Sequence, residues 1–316
     1  MAAHVYSRSF RAARRFGHSR LQTRSKGAFE TLLAWYFVAV WGSGFIATKI
    51  GLQHAPPFTF LTLRFAFGTL CLVAIVLVTR PTWPASHREL GHVVVAGLLM
   101  HAVHLSGSHY TQYLGMSAGV TAVLLSVQPL LTAMIAARWM RERLSARQWI
   151  GIATGLLGVA LVVWNKIDVR EATAGSLLAI TISLIGVTAG TLYQRTFCPV
   201  VDLRSAALVQ FVVTLAVLAP LAWFVEGAPV RWSWALPAAI VFLVIGGSIL
   251  AVNALHTLMR RGQAARVASL FYLTPLFPVA IEFAVFGITP TGLSAVGIAI
   301  TLLGVALVGW RRRRRP

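Results

Sequence analysis

Two stretches of this chain repeat one another, and the repetition limits what the chain can fold into. Residues 117–164 and 263–310 align without a gap, at a constant offset of 146 residues. In this register Pro129 falls on Pro275, and GIATGLLGVALVVW, which ends at Trp164, falls on GIAITLLGVALVGW. A shared apolar composition does not by itself align prolines, glycines and tryptophans. The sequence therefore predicts a duplicated chain with two similar halves.

The composition of the chain predicts that both halves lie in a lipid bilayer. Of its 316 residues, 57% are hydrophobic and 11% are charged, which is too little polar surface to cover a soluble globule. The bilayer core offers no water to backbone polar groups, so helices are the expected structure. A net charge of +20 would suggest nucleic-acid binding in a soluble protein, but here the basic residues lie in short segments between apolar runs. We predict an all-α integral membrane protein whose partner is lipid and not nucleic acid.

Ten apolar runs are about long enough to cross the hydrocarbon, which takes roughly 20 helical residues. Their predicted limits are 30–51, 57–79, 91–113, 117–137, 147–165, 175–195, 205–225, 235–258, 264–286 and 290–310. Five runs form a first unit at 30–165 and five form a second unit at 175–310. A basic tail at 1–29 precedes them, and a basic C-terminus at 311–316 follows.

The first 28 residues are rich in arginine and serine and contain no acid. This composition resembles an organelle transit peptide, but a cytoplasmic basic tail and a wrongly assigned start codon explain it equally simply. Whether residues 1–28 belong to the mature protein stays open.

Arginine and lysine are concentrated on one side of the predicted spans. They precede the first span and follow every second one, whereas the opposite loops hold Lys166, Arg170 and Arg231. By the positive-inside rule both termini are cytoplasmic, and the even number of spans agrees because it places both termini on one side. Because each half has five helices, the second half must be inverted relative to the first. Inverted repeats are typical of secondary transporters, so the topology predicts a carrier that works by alternating access.

Three stretches of the chain have the pattern of a known membrane-protein family. They are WGSGFIATKIGLQHAPPFTFLTLRF at residues 41–65, HYTQYLGMSAGVTAVLLSVQPLL and ERLSARQWIGIATGLLGVALV. The chain thereby resembles the EamA-type family of the drug/metabolite transporter superfamily. One departure is that the acid expected before a Leu-Ser/Thr pair is Glu142 in the first half, whereas Ile288 stands at the equivalent place. The resemblance implies a ten-helix carrier with a central cavity, which exports or imports small metabolites.

Polar and aromatic residues within the predicted spans are the candidates for a solute cavity, because each polar group is costly in a bilayer. Gln128 and Thr274 immediately precede Pro129 and Pro275, and a proline frees a backbone carbonyl one turn earlier. Corresponding interrupted helices indicate a transport site, although kinks that only shape packing are an alternative. The predicted cavity set is Trp41, His101, His104, Tyr110, Gln128, Pro129, Tyr193, Asn253, Tyr272, Thr274 and Pro275.

Histidines of the third span are candidates for proton exchange. His101 and His104 share a helix face, and histidine titrates near neutral pH. Hydrogen bonding between helices, without a role in transport, is the alternative. The predicted spans contain no Asp and few acids, so we predict neither a metal site nor a cofactor.

Three charged residues, Lys49, Arg64 and Glu282, fall in the outer half of the predicted membrane. One hypothesis is that Arg64 and Glu282 pair across the halves as an outer gate. Alternatively, Lys49 extends its amine to the membrane surface and Arg64 has a packing role. The spacing of Gly151 and Gly155 fits a homodimer contact or close packing inside the bundle.

The leading prediction is a secondary carrier in a bacterial inner membrane that exports amino acids or related metabolites. The chain lacks the GxxxxGK[ST] pattern of a phosphate-binding loop, so ATP hydrolysis is not expected. Transport of the solute would then be coupled to a proton gradient, or it would be facilitated diffusion down the solute's own gradient. Efflux of cationic drugs and transport of a sugar-type solute are alternatives, as are an intramembrane enzyme and a non-transporting scaffold. An enzyme would need a nucleophile with its base or a metal centre, which the shortage of acids in the spans disfavours.

Overall fold

A computed structural model describes residues 29, 31–139, 145–168, 172–227, 229–260 and 274–309. Within these ranges the regular secondary structure is helical throughout. The helices are α1 (Thr31–Leu52), α2 (Pro57–Thr79), α3 (His87–Tyr113), α4 (Ala118–Arg138), α5 (Ala146–Asp168), α6 (Ala174–Phe197), α7 (Leu203–Glu226), α8 (Ala235–Leu255), α9 (Leu276–Phe286) and α10 (Gly292–Gly309).

Seven helices in the described part of the chain, α1 to α4 and α6 to α8, are long and apolar enough to cross a membrane. The other three contain shorter apolar segments, namely Ala146–Val162, Leu276–Phe286 and Gly292–Leu307. The prediction of an all-helical membrane protein is therefore confirmed, whereas ten crossings remain a prediction. Residues 261–273 lie outside the described ranges, and α9 begins three residues later, at Leu276.

Local sequence explains where several helices begin and end. Pro57 opens α2, where its missing N–H leaves no hydrogen bond unmade. At the start of α3 the Ser86 hydroxyl accepts from the Glu89 N–H at 3.1 Å. Gly115 and Gly287 follow α3 and α9 with φ of 101° and 65°, a conformation that favours glycine.

Helix α2 lies between two helices of the second half. On one side Phe60 is buried in a cluster with Leu236 and Val244, where α8 packs. On the other side Phe65 packs against the Phe211 ring of α7 at 4.7 Å between centroids. Helix α3 is placed similarly, since it packs against α6 and α7. One side of α2 and one side of α3 therefore face the opposite half of the chain.

Helices α5 and α10 approach so closely that glycine is required at their contact. A Cβ atom on Gly158 would lie 2.5 Å from Thr301 Oγ1 and 2.7 Å from the Gly297 carbonyl oxygen. A Cβ atom on Gly304 would lie 2.5 Å from Gly155 Cα. The residue numbers of contacting positions increase along α5 as they decrease along α10, so the two helices run antiparallel. Gly155 thus serves packing within the bundle, which is one of the two roles considered for its GxxxG pattern.

Helices α3 and α8 each contain a π-helical segment, Leu98–Val103 in α3 and Phe242–Ala251 in α8. Adding the repeat offset to 98–103 gives 244–249, which lies inside the second segment. π segments are uncommon and occur frequently at functional sites. The duplicated chain therefore has the same unusual backbone at equivalent places in both halves.

Candidate functional site

Two helix crossings between the halves carry a polar contact at a π segment. Arg64 of α2 donates from Nη2 to Ser248 Oγ of α8 at 3.4 Å. At the other crossing, His101 Nε2 of α3 lies 3.3 Å from Gln210 Oε1 of α7. Arg64 and Gln210 are equivalent positions, because their numbers differ by the repeat offset and each is the eighth residue of its helix. The two contacts therefore lie at corresponding helix crossings, although the offset places Ser248 on Ala102, next to His101. We call them the π-segment crossings.

The His101 crossing continues into an aromatic and amide network. The His101 ring lies 5.7 Å from the Phe65 ring and 5.4 Å from the Phe211 ring, both edge-on. Gln210 Nε2 in turn donates to Gln194 Oε1 of α6 at 3.3 Å. His101 is thus packed between α2 and α7, and Gln210 extends the network to α6.

His104 has a defined tautomer in this arrangement. Its Nδ1 lies 2.8 Å from Ser183 Oγ, and the same hydroxyl donates to the His104 carbonyl oxygen at 2.8 Å. A serine hydroxyl has one proton, so His104 Nδ1 must be the donor in the first contact. The bond joins α3 to α6, which is the kind of hydrogen bond between helices considered as the alternative to proton exchange.

His109 and Gln112 are buried polar side chains whose hydrogen-bonding atoms have no protein partner. This holds for both ring nitrogens of His109 and both amide atoms of Gln112. The His109 ring packs against Phe60, with centroids 5.8 Å apart. Unpartnered buried polar atoms are rare and indicate a place for water or a ligand. Among the described residues no three His, Cys, Asp or Glu side chains are placed to hold a metal ion.

A buried carboxylate, that of Glu282, joins three helices at one end of the bundle. Glu282 Oε1 lies 2.7 Å from Lys49 Nζ of α1. The same oxygen accepts from the Ala118 N–H at 2.9 Å, and Oε2 accepts from the Gly119 N–H at 2.7 Å. These two N–H groups open α4, and a helix N-terminus favours a negative charge. We call this arrangement the Glu282 clasp. The predicted pairing of Arg64 with Glu282 is not formed, because Lys49 occupies that place.

A second carboxylate, that of Glu226 in α7, binds the start of α2. It accepts from the Phe58 N–H and the Thr59 N–H, both at 2.8 Å. The Tyr110 hydroxyl of α3 donates to Glu226 Oε1 at 2.9 Å. We call this arrangement the Glu226 clasp. It lies at the same end of the bundle as the Glu282 clasp, and in both clasps a glutamate of the second half holds helices of the first.

Removing the Tyr110 hydroxyl tests the Glu226 clasp. We expect Tyr110→Phe to lower the free energy of unfolding by about 1.5–3 kcal/mol, because a hydrogen bond to a charged group is lost. Thermal unfolding of the detergent-solubilised protein measures the change. Tyr113→Phe is the control, since Tyr113 is exposed on the same helix and packs edge-on against the Tyr110 ring. An equal loss of stability in both variants would contradict a role for the Tyr110–Glu226 bond.

Helix α4 is interrupted beside Pro129, as the sequence predicts. A turn after Leu125 separates its first segment, Ala118–Leu125, from a second segment that begins at Gln128. Gln128 Nε2 donates to Thr132 Oγ1 at 3.1 Å and to Thr191 Oγ1 of α6 at 3.4 Å. Gln128 is therefore partnered by another helix, at a residue one turn before Gln194 of the His101 network.

At the equivalent place in the second half, Pro275 immediately precedes α9 and Thr274 is buried. A Cβ atom on Gly42 of α1 would lie 2.6 Å from the Thr274 carbonyl oxygen, so α1 and the start of α9 touch. Tyr272 lies outside the described residues.

The remaining predicted cavity residues contact other parts of the bundle. The Trp41 ring packs against Phe37 at 5.4 Å and is 40% exposed. The Tyr193 hydroxyl lies 2.7 Å from His92 Nδ1, outside the His101 network. Asn253 is exposed and donates to the carbonyl one turn earlier in α8. Their membership of a solute cavity stays a prediction.

The sequence did not lead us to predict a role for Gln210 or Glu226. Gln210 could have been found by applying the repeat offset to Arg64, which marks a polar residue at the same helix position. Glu226 stands beside Gly227 at a predicted span end, where an acid is ordinarily solvated. Its contact with α2 joins residues 168 positions apart, and no local sequence pattern predicts a contact over that separation.

The chain is similar to several bacterial proteins over most of its length. It is 26% identical over 285 residues to the uncharacterized inner membrane transporter YedA of Escherichia coli strain K12, covering 89% of this chain and 90% of that protein. It is 25% identical over 299 residues to a probable amino-acid metabolite efflux pump of Salmonella typhimurium strain LT2, covering 90% and 97%.

A solved crystal structure shares the fold. It matches with a TM-score of 0.62 at 19% sequence identity, covering 89% of this chain and 97% of the other. The EamA-like transporter family matches the chain twice, over residues 28–164 and 173–310. These two matches account for most of the sequence, one in each predicted half. The chain is an integral membrane protein and belongs to the EamA-like transporter family.

Proposed function

We propose that the chain is a secondary carrier that moves a small organic solute by alternating access. Two inverted units of five crossing helices, at 30–165 and 175–310, would form it, with both termini in the cytoplasm. The observation that carries this proposal is the antiparallel contact of α5 with α10. Adding the repeat offset to Gly158 gives Gly304, and subtracting it from Thr301 gives Gly155. The contact of Gly158 with Thr301 therefore corresponds to the contact of Gly304 with Gly155. A two-fold axis in the membrane plane produces this relation.

The two clasps support a gate at the outer face. Both lie where α1 ends and α2 begins, which the distribution of arginine assigns to the non-cytoplasmic side. Both join a glutamate of the second half to backbone N–H groups of the first. Opening that face would break these contacts and would leave the α5–α10 contact intact as a pivot.

Amino acids and related metabolites are the solute class with most support, and export is the direction with most support. The Salmonella typhimurium relative is named as a probable amino-acid metabolite efflux pump. The name of the Escherichia coli relative supports a place in the bacterial inner membrane. A cationic drug has less support, because the two described carboxylates inside the bundle are already bound by Lys49 and by helix N-termini.

Transport without nucleotide tests the proposal. We expect purified protein in liposomes to accelerate the exchange of a labelled amino acid, such as leucine, without added ATP. Because no step breaks a covalent bond, the rate should follow the solute gradient, and a pH gradient raises it further only if protons are coupled. Liposomes that contain the protein with Gly304→Leu, which separates α5 from α10, are the control. A strict requirement for ATP would refute the carrier mechanism.

A further inference from the structure

Arg64 is a cation inside the bundle without an acidic partner. Among the described residues, the carboxylates with assigned contacts bind elsewhere: Glu282 binds Lys49, Glu226 binds the start of α2, Asp202 binds Arg204 and Glu89 binds the Ala85 N–H. Arg64 lies two helical turns into α2, about 10 Å from its first residue at 1.5 Å per residue. At this depth a charge without a counter-charge is strongly disfavoured.

The Arg64 guanidinium has most of its hydrogen-bonding capacity left over. A guanidinium offers five N–H donors in a planar fork. The bond to Ser248 Oγ is long, at 3.4 Å, and Nε is buried without a partner. The nearest aromatic ring, that of Phe65, is 6.0 Å from Cζ. Neither contact neutralises the charge.

The surroundings of Arg64 add more groups that can donate. The His101 ring packs against Phe65, the residue after Arg64, and the His109 ring packs against Phe60, one turn before Arg64. His109 and Gln112, one turn apart on α3, have hydrogen-bonding atoms without protein partners. A partly buried cation, with unpartnered polar groups on the neighbouring helix and no acid among its described contacts, is complementary to an anion. A planar carboxylate matches the fork of a guanidinium with two parallel bonds.

We propose that Arg64 is the anion-binding residue of this carrier and that the transported solute bears a carboxylate group. The inference rests on the proposed transport function, whose solute class it narrows. Ser248 orients the guanidinium from the second half, so the bound anion would sit at a crossing between the halves. Movement of the halves would then change the shape of the anion site.

Pairs of acids and amides of the same shape test this proposal. Thermal unfolding of the purified protein would be followed with leucine against leucinamide, butanoate against butanamide, and inorganic phosphate, each at about 10 mM so that weak binding is detected. We expect a carboxylate to raise the melting temperature of the wild type and its amide to leave it unchanged. Arg64→Gln should weaken binding of that carboxylate by about tenfold to a hundredfold, because a charge-assisted contact is lost.

Two further variants separate anion binding from a packing role. Arg64→Lys keeps the charge but not the fork, so it should bind the carboxylate more weakly than wild type and more strongly than Arg64→Gln. Arg64→Met removes the charge at similar length, and in buffer without carboxylates it should melt above wild type because an unpaired buried cation is gone. Arg204→Gln, at an exposed ion pair, is the control that should change neither measurement.

Each outcome decides the proposal. A carboxylate shift that survives Arg64→Gln overturns it, and so does an amide that stabilises the protein as much as its acid does. If no carboxylate shifts the wild type and Arg64→Met melts below it, Arg64 has a packing role. Stabilisation by phosphate alone would support Arg64 as an anion site but would refute the proposal that the solute bears a carboxylate. Flux of leucinamide into liposomes at the rate of leucine would refute the anion site and leave the carrier mechanism standing.

Discussion

Replacing Gly304 with alanine is expected to destabilise the bundle by about 3 kcal/mol, the upper end of the cost of overpacking a core. The added Cβ would lie 2.5 Å from Gly155 Cα and 2.6 Å from the Gly151 carbonyl oxygen, so it meets backbone that no side-chain rotation can move. Gly158→Ala, at the equivalent place in α5, should cost a similar amount. Thermal unfolding in detergent measures both.

A glycine in open space is the matched control for these substitutions. Gly91 lies inside α3 and has no atom within 4 Å of an added Cβ. Gly91→Ala should therefore leave stability unchanged or raise it by up to about 1 kcal/mol, because alanine favours a helix. If Gly304→Ala melts no lower than Gly91→Ala, the close α5–α10 contact is refuted, and with it the main support for inverted halves.

Exchanging the two charges of the Glu282 clasp is expected to fail as a rescue. Glu282→Lys alone should cost about 3–5 kcal/mol, the usual loss when one member of a buried pair is removed. Adding Lys49→Glu restores opposite charges at the same two positions. It leaves an ammonium facing the Ala118 and Gly119 N–H groups, which donate to the carboxylate in the wild type. The double variant should therefore stay well below wild type.

A double-mutant cycle over wild type, the two single variants and the exchange measures this effect. Glu282→Gln provides a control of equal size, which keeps one acceptor oxygen and loses the charge. It should fall between wild type and Glu282→Lys. Recovery of the wild-type melting temperature by the exchange would show that the ion pair with Lys49 alone stabilises the clasp. The helix N-terminus would then contribute nothing.

Helix positions followed from the sequence wherever a residue fixes the backbone. The predicted span at 57–79 coincides with α2 because Pro57 can open a helix and Arg80 leaves it in the left-handed conformation. The interruption of α4 was also foreseen, since Pro129 cannot donate the backbone bond that would continue the helix. These features depend on residues near each other in the chain.

Features that depend on which helices become neighbours were not foreseen. Lys49 and Arg64 lie in the same half of the predicted membrane, and either one satisfies a search for a cation opposite Glu282. The choice depends on α1 approaching α9 while α2 lies between α7 and α8. The π segments were missed for a related reason. They arise from backbone hydrogen bonding in α3 and α8 and leave no mark in the apolar pattern.

The clasps have a thermodynamic consequence for a carrier with symmetric halves. Subtracting the repeat offset from Glu226 gives Arg80, and subtracting it from Glu282 gives Ala136. In the proposed carrier, the cytoplasmic face would thus have no carboxylate at the positions that would rebuild the two clasps after the halves exchange conformations. The unloaded protein should rest with its outer face shut. Bound solute must then contribute the difference in free energy between the two states, about 1.4 kcal/mol for each tenfold shift in their populations.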